Sequence, residues 1–119
     1  MTKKRVLLVE DNEDNFELVR FLLERADFEV LAGHDGQEAL EMDHKELPDL
    51  ILMDLSLPGI DGWTAAREIK DDPGTSHIPL LALTAHTLPG DRKRAMESGF
   101  DGYISNIIKI NDQFFIVGC

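Results

Sequence analysis

Cysteine is almost missing from this chain. The single thiol, Cys119, is the final residue, so no internal disulfide can form and the fold must rest on packing. A reducing, cytoplasmic setting is expected. Positive charge is also scarce: 12 Lys and Arg stand against 23 Asp and Glu, a formal net charge of −11. Nucleic-acid binding needs a basic face, so no nucleic-acid partner is expected. Long apolar runs are absent; none approaches the roughly 20 residues that span a bilayer, so no membrane insertion is expected. The start, "MTKKRVLLVE", has four apolar residues before Glu10, too few for a secretory signal. There is no low-complexity tract, repeat or long linker. The 119 residues, 43% hydrophobic and 29% charged, suit one globular domain over positions 1–119 with no room for a second.

What is present alternates in character. Short apolar runs occur at Arg5–Val9, Phe28–Ala32, Leu50–Leu55, Ile78–Thr84 and, more weakly, Phe100–Ser105. Such continuous runs suit strands buried on both faces of a parallel sheet. Between them lie stretches of helical period. Phe16, Val19, Leu22, Leu23 and Ala26 fall on one stripe, with Asn12 or Asp14 available as N-cap. Asp35 can cap a second helix reaching Glu46. A third is expected from about Gly62 to Lys70, ended by Asp72-Pro73-Gly74, and a fourth from about Pro89 to Ser98, stopped by Gly99. The alternation β-α-β-α-β-α-β-α-β with right-handed crossovers predicts an open α/β sheet with helices on both faces. In such sheets the working site lies at the carboxyl ends of the strands, near the switch in strand order.

Acids collect at that edge. "VLLVEDNED" runs from a strand straight into Glu10, Asp11, Asn12, Glu13 and Asp14, and Asp54 interrupts the apolar stretch Leu50–Leu57. Two carboxylates about 4 Å apart repel by roughly 4 kcal/mol at a typical effective dielectric. Three in one pocket must protonate, splay apart or hold a cation. All-oxygen ligands favour Mg²⁺, which keeps several waters or substrate phosphate oxygens in its shell. A solvated helix start explains Glu13 and Asp14. It does not explain Asp54, so Glu10, Asp11 and Asp54 are read as the metal-binding set. Thr84 ends the fourth run at the same edge and offers a donor without charge. His86 follows two residues later. His34, His44 and His77 are scattered and read as surface residues, and Trp63 as a packing residue at the start of the third helix.

The combination "LLVEDN", "DLILMDLSLPGIDG", "IPLLALTA" and "GFDGYIS" closely resembles the receiver domain of two-component response regulators, over about residues 4–105. Single-domain receivers look most similar. The resemblance implies a flavodoxin-like (βα)5 fold with a five-stranded parallel sheet of order 2-1-3-4-5. It implies that Asp54 is the phosphoacceptor, taking its phosphoryl group from a histidine kinase or phosphotransfer protein. Asp11 and Asp54 would ligate Mg²⁺ by side chain, Ser56 by its backbone carbonyl, and Glu10 mostly through water. Thr84 would bond the phosphoryl group and Tyr103 would be the aromatic switch, passing the signal to a downstream protein. The chain would act as a signalling domain that promotes its own phosphorylation and dephosphorylation.

The pattern breaks after the fifth strand. Asn106 and Ile107 stand where the family has lysine and a proline that typically follows a cis bond. A trans bond is expected here, because a non-proline cis bond costs about 3–4 kcal/mol. Loss of the lysine removes a charge-assisted bond of roughly 1.5–3 kcal/mol. The tail "KINDQFFIVGC" is apolar and β-rich, leaving a short helix, an added strand or an exposed sticky segment in place of the family's fifth helix. A pseudo-receiver, a protein-binding module not switched by phosphate, is therefore the alternative function. A metal-dependent phosphatase needs a general acid that Leu55 and Ser56 do not supply. A flavodoxin-type cofactor would meet repulsion from "EDNED".

Overall fold

The computed structural model describes residues 3–54, 62–83, 93, 97, 99–104, 106–110 and 113–117; from residue 103 on it describes the backbone only. The order is β1 (Arg5–Val9), α1 (Glu13–Arg25), β2 (Glu29–Gly33), α2 (Gly36–Glu46), β3 (Leu50–Asp54), α3 (Gly62–Asp71), β4 (Leu80–Leu83) and β5 (Gly102–Ile104). These five strands form one sheet of order β2-β1-β3-β4-β5, every neighbouring pair parallel. A second, two-stranded sheet pairs β6 (Asn106–Ile110) with β7 (Gln113–Val117).

The sheet divides the core into two layers, and the period-2 alternation of strand side chains decides which residue joins which. Leu7, Val9, Ile51, Met53 and Leu80 face α2 and α3, where Ala39, Ala65, Ala66 and Ile69 meet them. Val6, Leu8, Leu52 and Leu83 face α1, where Phe16, Val19 and Leu23 complete the layer. Helices therefore cover both faces. Each fully buried aliphatic side chain contributes about 1.5–3 kcal/mol, so the central strands β1 and β3 anchor the fold. Trp63 packs against the first layer and meets Phe100 edge-on, with centroids 6.0 Å apart, as a packing residue should.

Local chemistry sets the boundaries. Between the two candidate caps of α1, Asn12 serves: its side chain accepts from the Asn15 amide at 2.9 Å. Asp14 falls inside the first turn with Glu13, where negative charge favours the helix dipole. Ala26, expected on the buried stripe, is the exposed C-cap residue. Asp35 caps α2, accepting from the Glu38 amide at 2.8 Å. β4 begins two residues later than the apolar run, because Ile78 and Pro79 serve as lead-in: Ile78 packs in the core and the Pro79 carbonyl accepts from the Ile51 amide at 2.9 Å. Of the fourth helix, Lys93 and Glu97 are helical and the remainder of 89–98 lies outside the described residues. Gly99 follows with φ +103°, a conformation that suits a glycine stop.

Two features are not legible in the sequence. Lys70, at the end of α3, reaches the Ile78 carbonyl at 2.7 Å and Asp101 at 2.6 Å, and Asp101 also accepts from the Leu80 amide at 2.8 Å. One ion pair thereby ties α3 to the starts of β4 and β5. The tail is the second feature. Of the three outcomes open for it, the strand is realised, and as a hairpin: Ile107 pairs with Ile116 and Ile108 with Phe115, antiparallel. No cis peptide bond occurs among the described residues. Among the described residues, no helix is long and apolar enough to cross a membrane.

Candidate functional site

The sheet order places the acids. β1 lies between β2 and β3, so the chain leaves β1 in one direction and returns on its other side; that reversal makes a crevice at the carboxyl ends of β1 and β3. Val9 pairs with Met53. The next residues on the two strands, Glu10 and Asp54, are thus neighbours across the crevice, with Asp11 one step further. Oxygens of Glu10, Asp11 and Asp54 lie within 4.8 Å of one another. Glu10 is buried, Asp54 is 9% exposed, and Asp11 faces solvent.

Electrostatics at this edge are strained. The Glu10 carboxyl is pushed up to about 8, first by burial and then by its hydrogen bond to Asp54; the charges of Asp54 and Asp11 add to this. The Asn12 amide donates to Glu10 Oε1 at 3.0 Å and pulls the other way. Two carboxyl groups bond each other only when one carries a proton, so the Glu10–Asp54 pair shares one. A divalent ion is the other way to relieve the cluster. Mg²⁺ holds oxygens at about 2.0–2.1 Å, so its ligands lie up to about 4.2 Å apart across the octahedron. Carboxylates already within 4.8 Å need little adjustment to meet that geometry. The three acids therefore fit a hard divalent cation, with Asp11 at the open side where waters and a phosphate can complete the shell.

The remaining expected residues fall differently. Asp54 pairs with Leu83, the last residue of β4, and Thr84 follows it; Thr84, Ser56 and His86 lie outside the described residues. Tyr103 sits on β5 paired with Ala82, and Asn106 opens β6 paired with Val117; their side chains lie outside the description. His34 is exposed, its ring centroid 5.5 Å from that of Phe16. His44 is exposed but bonded to Asp72. Among the described residues, Glu10, Asp11 and Asp54 are the one group of three or more such side chains arranged to hold a metal.

A doubly wound α/β sheet with buried acids at its switch point defines a domain suited to metal-assisted phosphate chemistry. Residues 6–113 match the family model of the response regulator receiver domain, and the chain belongs to that family. It is 41% identical over 107 residues to the polar-differentiation response regulator DivK of Brucella anthropi, covering 90% of this chain and 87% of that one. The receiver domain of the sensor histidine kinase PA1611 of Pseudomonas aeruginosa PAO1, solved with magnesium coordinated in its active-site cleft, superposes with a TM-score of 0.83 at 34% identity, covering 91% of this chain and 88% of that one. The receiver domain of Saccharomyces cerevisiae Ssk1, solved in complex with the histidine phosphotransfer protein Ypd1, gives a TM-score of 0.77 at 30% identity, covering 87% and 78%. The protein is thus a receiver of two-component signalling with a flavodoxin-like fold.

Proposed function

We propose that Asp54 accepts a phosphoryl group from phosphohistidine, and that the resulting acyl phosphate changes the contacts this receiver makes with a downstream protein. The observation that carries the reading is the convergence of Glu10, Asp11 and Asp54 within 4.8 Å, with Asp54 buried at the end of β3. A carboxylate oxygen of Asp54 attacks phosphorus; the P–N bond to the donor imidazole breaks as the P–O bond forms, and the imidazole leaves with its electron pair and takes up a proton. Return to the resting state follows when water attacks the same phosphorus, releasing inorganic phosphate and restoring the carboxylate.

The magnesium of the PA1611 receiver supports assigning Mg²⁺ to this chain. Glu10, Asp11 and Asp54 would hold it, with the Ser56 carbonyl, and when bound it neutralises charge on the phosphoryl oxygens. Asp11 would contribute its carboxylate from the solvent side, and Glu10 would do so in its ionised form. Thr84 donates a hydrogen bond to the phosphoryl group, and Tyr103 follows Thr84. Asn106, neutral and short, leaves the phosphoryl group without the ammonium that the family places there. The Ssk1–Ypd1 complex supports a phosphotransfer protein or histidine kinase as donor. Residues 1–119 then act as one receiver unit in the cytoplasm, promoting their own phosphorylation and dephosphorylation.

Asn106 favours a second reading, a protein-binding pseudo-receiver. Mass spectrometry after incubation with Mg²⁺ and acetyl phosphate separates the two. A gain of one phosphoryl group, lost in Asp54→Asn and in EDTA, supports the phosphoacceptor. No gain, with the fold intact, leaves the binding module.

A further inference from the structure

Away from the acid cluster the fold buries a second carboxyl. Asp43 on α2 is 0% exposed, and among the described residues neither of its oxygens has a hydrogen-bond partner. It faces the turn that follows α3, where the Thr75 hydroxyl lies beside it, itself 1% exposed. That hydroxyl is committed elsewhere. Pro73 stands four residues beyond Ile69 and has no N–H, so the Ile69 carbonyl lacks its helical donor. Thr75 Oγ1 replaces it, donating to Ile69 O at 2.8 Å.

A hydroxyl has one proton to give. While Thr75 serves Ile69, it can offer Asp43 only a lone pair, and a bond between them then requires the proton to sit on Asp43. An ionised Asp43 needs a donor instead. Turning the Thr75 hydroxyl toward it leaves the buried Ile69 carbonyl unpartnered, which is unfavourable in turn. We propose that Asp43 and Thr75 form a proton-operated latch between α2 and the turn after α3. It is closed when neutral Asp43 donates to Thr75 and Thr75 donates to Ile69, and loosened when Asp43 ionises and draws Thr75 away.

The surrounding charges agree. Burial acts most strongly on Asp43 and pushes its carboxyl above the ordinary range; Thr75 and His44 oppose this, Asp72 adds to it and His77 opposes it. His44 holds the rim of the latch, one ring nitrogen on Leu40 O at 2.7 Å and the other on Asp72 at 2.5 Å. Both partners are acceptors, so only the protonated ring donates to both, and the two contacts hold its pKa above the usual value. Asp72 in turn fixes the turn, its carbonyl accepting from the Thr75 and Ser76 amides at 3.0 and 2.8 Å. The segment so held leads directly into β4.

Carboxyl ¹³C NMR across a pH series, on the wild type, Thr75→Val and Thr75→Ser, tests the latch. Asp43 should titrate above the ordinary aspartate value, higher still in Thr75→Val, and at the wild-type position in Thr75→Ser. Urea unfolding of Asp43→Asn supplies the second readout, since an amide stays neutral and can donate to Thr75 at every pH. The ratio of wild-type to variant unfolding constants should rise by up to tenfold per pH unit between the ordinary aspartate pKa and Asp43's own, then level off. Hydrogen exchange at the Thr75, Ser76 and Ile78 amides, corrected for intrinsic rates, should quicken over the same interval in the wild type alone. An Asp43 that titrates at or below the ordinary value, or a wild type and Asp43→Asn whose unfolding constants keep a fixed ratio at all pH, overturns the proposal.

Discussion

Glu10→Gln isolates the charge conflict at the sheet edge. In the folded, metal-free protein the Glu10 carboxyl titrates at about 8, against 4.5 for an unperturbed glutamate. Between those values the folded state holds a proton that the unfolded state has released, so stability falls as pH rises from 4.5 through about 8. At about 1.4 kcal/mol per pH unit the full displacement corresponds to a ceiling of about 5 kcal/mol. Asp11 faces solvent, and water around it screens part of the repulsion. We therefore expect the wild type to lose about 2–4 kcal/mol relative to Glu10→Gln on going from acid to alkaline conditions in EDTA. Glutamine reproduces the protonated acid in shape and stays neutral, and it should remove that loss. Titrating groups remote from the cluster, His44 among them, act alike in both proteins and cancel in the difference. Millimolar Mg²⁺ should restore the wild type at alkaline pH and help Glu10→Gln much less, because a ligand that binds only the folded, ionised site stabilises by mass action. The assay is urea denaturation at about pH 5 and pH 9, with EDTA or MgCl₂. Parallel pH dependence of wild type and variant in EDTA would refute the reasoning.

Two further substitutions test the framework that carries the site. Lys70→Met removes the ammonium shared by Ile78 O and Asp101, and should destabilise the fold by about 2–3 kcal/mol in urea denaturation; a cost below about 0.5 kcal/mol would show that the pair does not tie α3 to the starts of β4 and β5. Leu47 ends α2 in the left-handed region at φ 46° and is 56% exposed, so Leu47→Gly relieves backbone strain while losing little packing. Its thermal midpoint should rise, by an amount equivalent to about 0.5–1 kcal/mol; an unchanged or lower midpoint contradicts the strain.

Much of this architecture could be read from residue order because local and global signals agree. β1 and β3 are continuous apolar runs since both of their faces are covered, and the alternation of Leu7 and Val9 with Val6 and Leu8 between layers needs no further instruction. The acid cluster was legible for the opposite reason: Asp54 violates its apolar surroundings, and such a violation calls for a partner. A strand in the tail is one of three expectations, because a short apolar β-rich segment fits a helix or strand until a pairing partner is known, and the antiparallel pairing of Gln113–Val117 with Asn106–Ile110 is not among them. Asp43 is not legible in the sequence. On a helical pattern an aspartate beside His44 and Lys45 looks like a solvated face, and only the packing of α2 on α3 shows it enclosed. Lys70 and Asp101 were hidden likewise, being 31 residues apart and joined only by the fold.

The proposed function requires that Glu10, Asp11 and Asp54 gather a divalent cation. Calorimetric titration of the folded protein with MgCl₂ tests this most directly, paired with Asp11→Asn and Asp54→Asn. Uptake of one Mg²⁺ per chain is expected, weakened or lost in both variants. Absence of uptake by the wild type, or undiminished uptake by both variants, would contradict it.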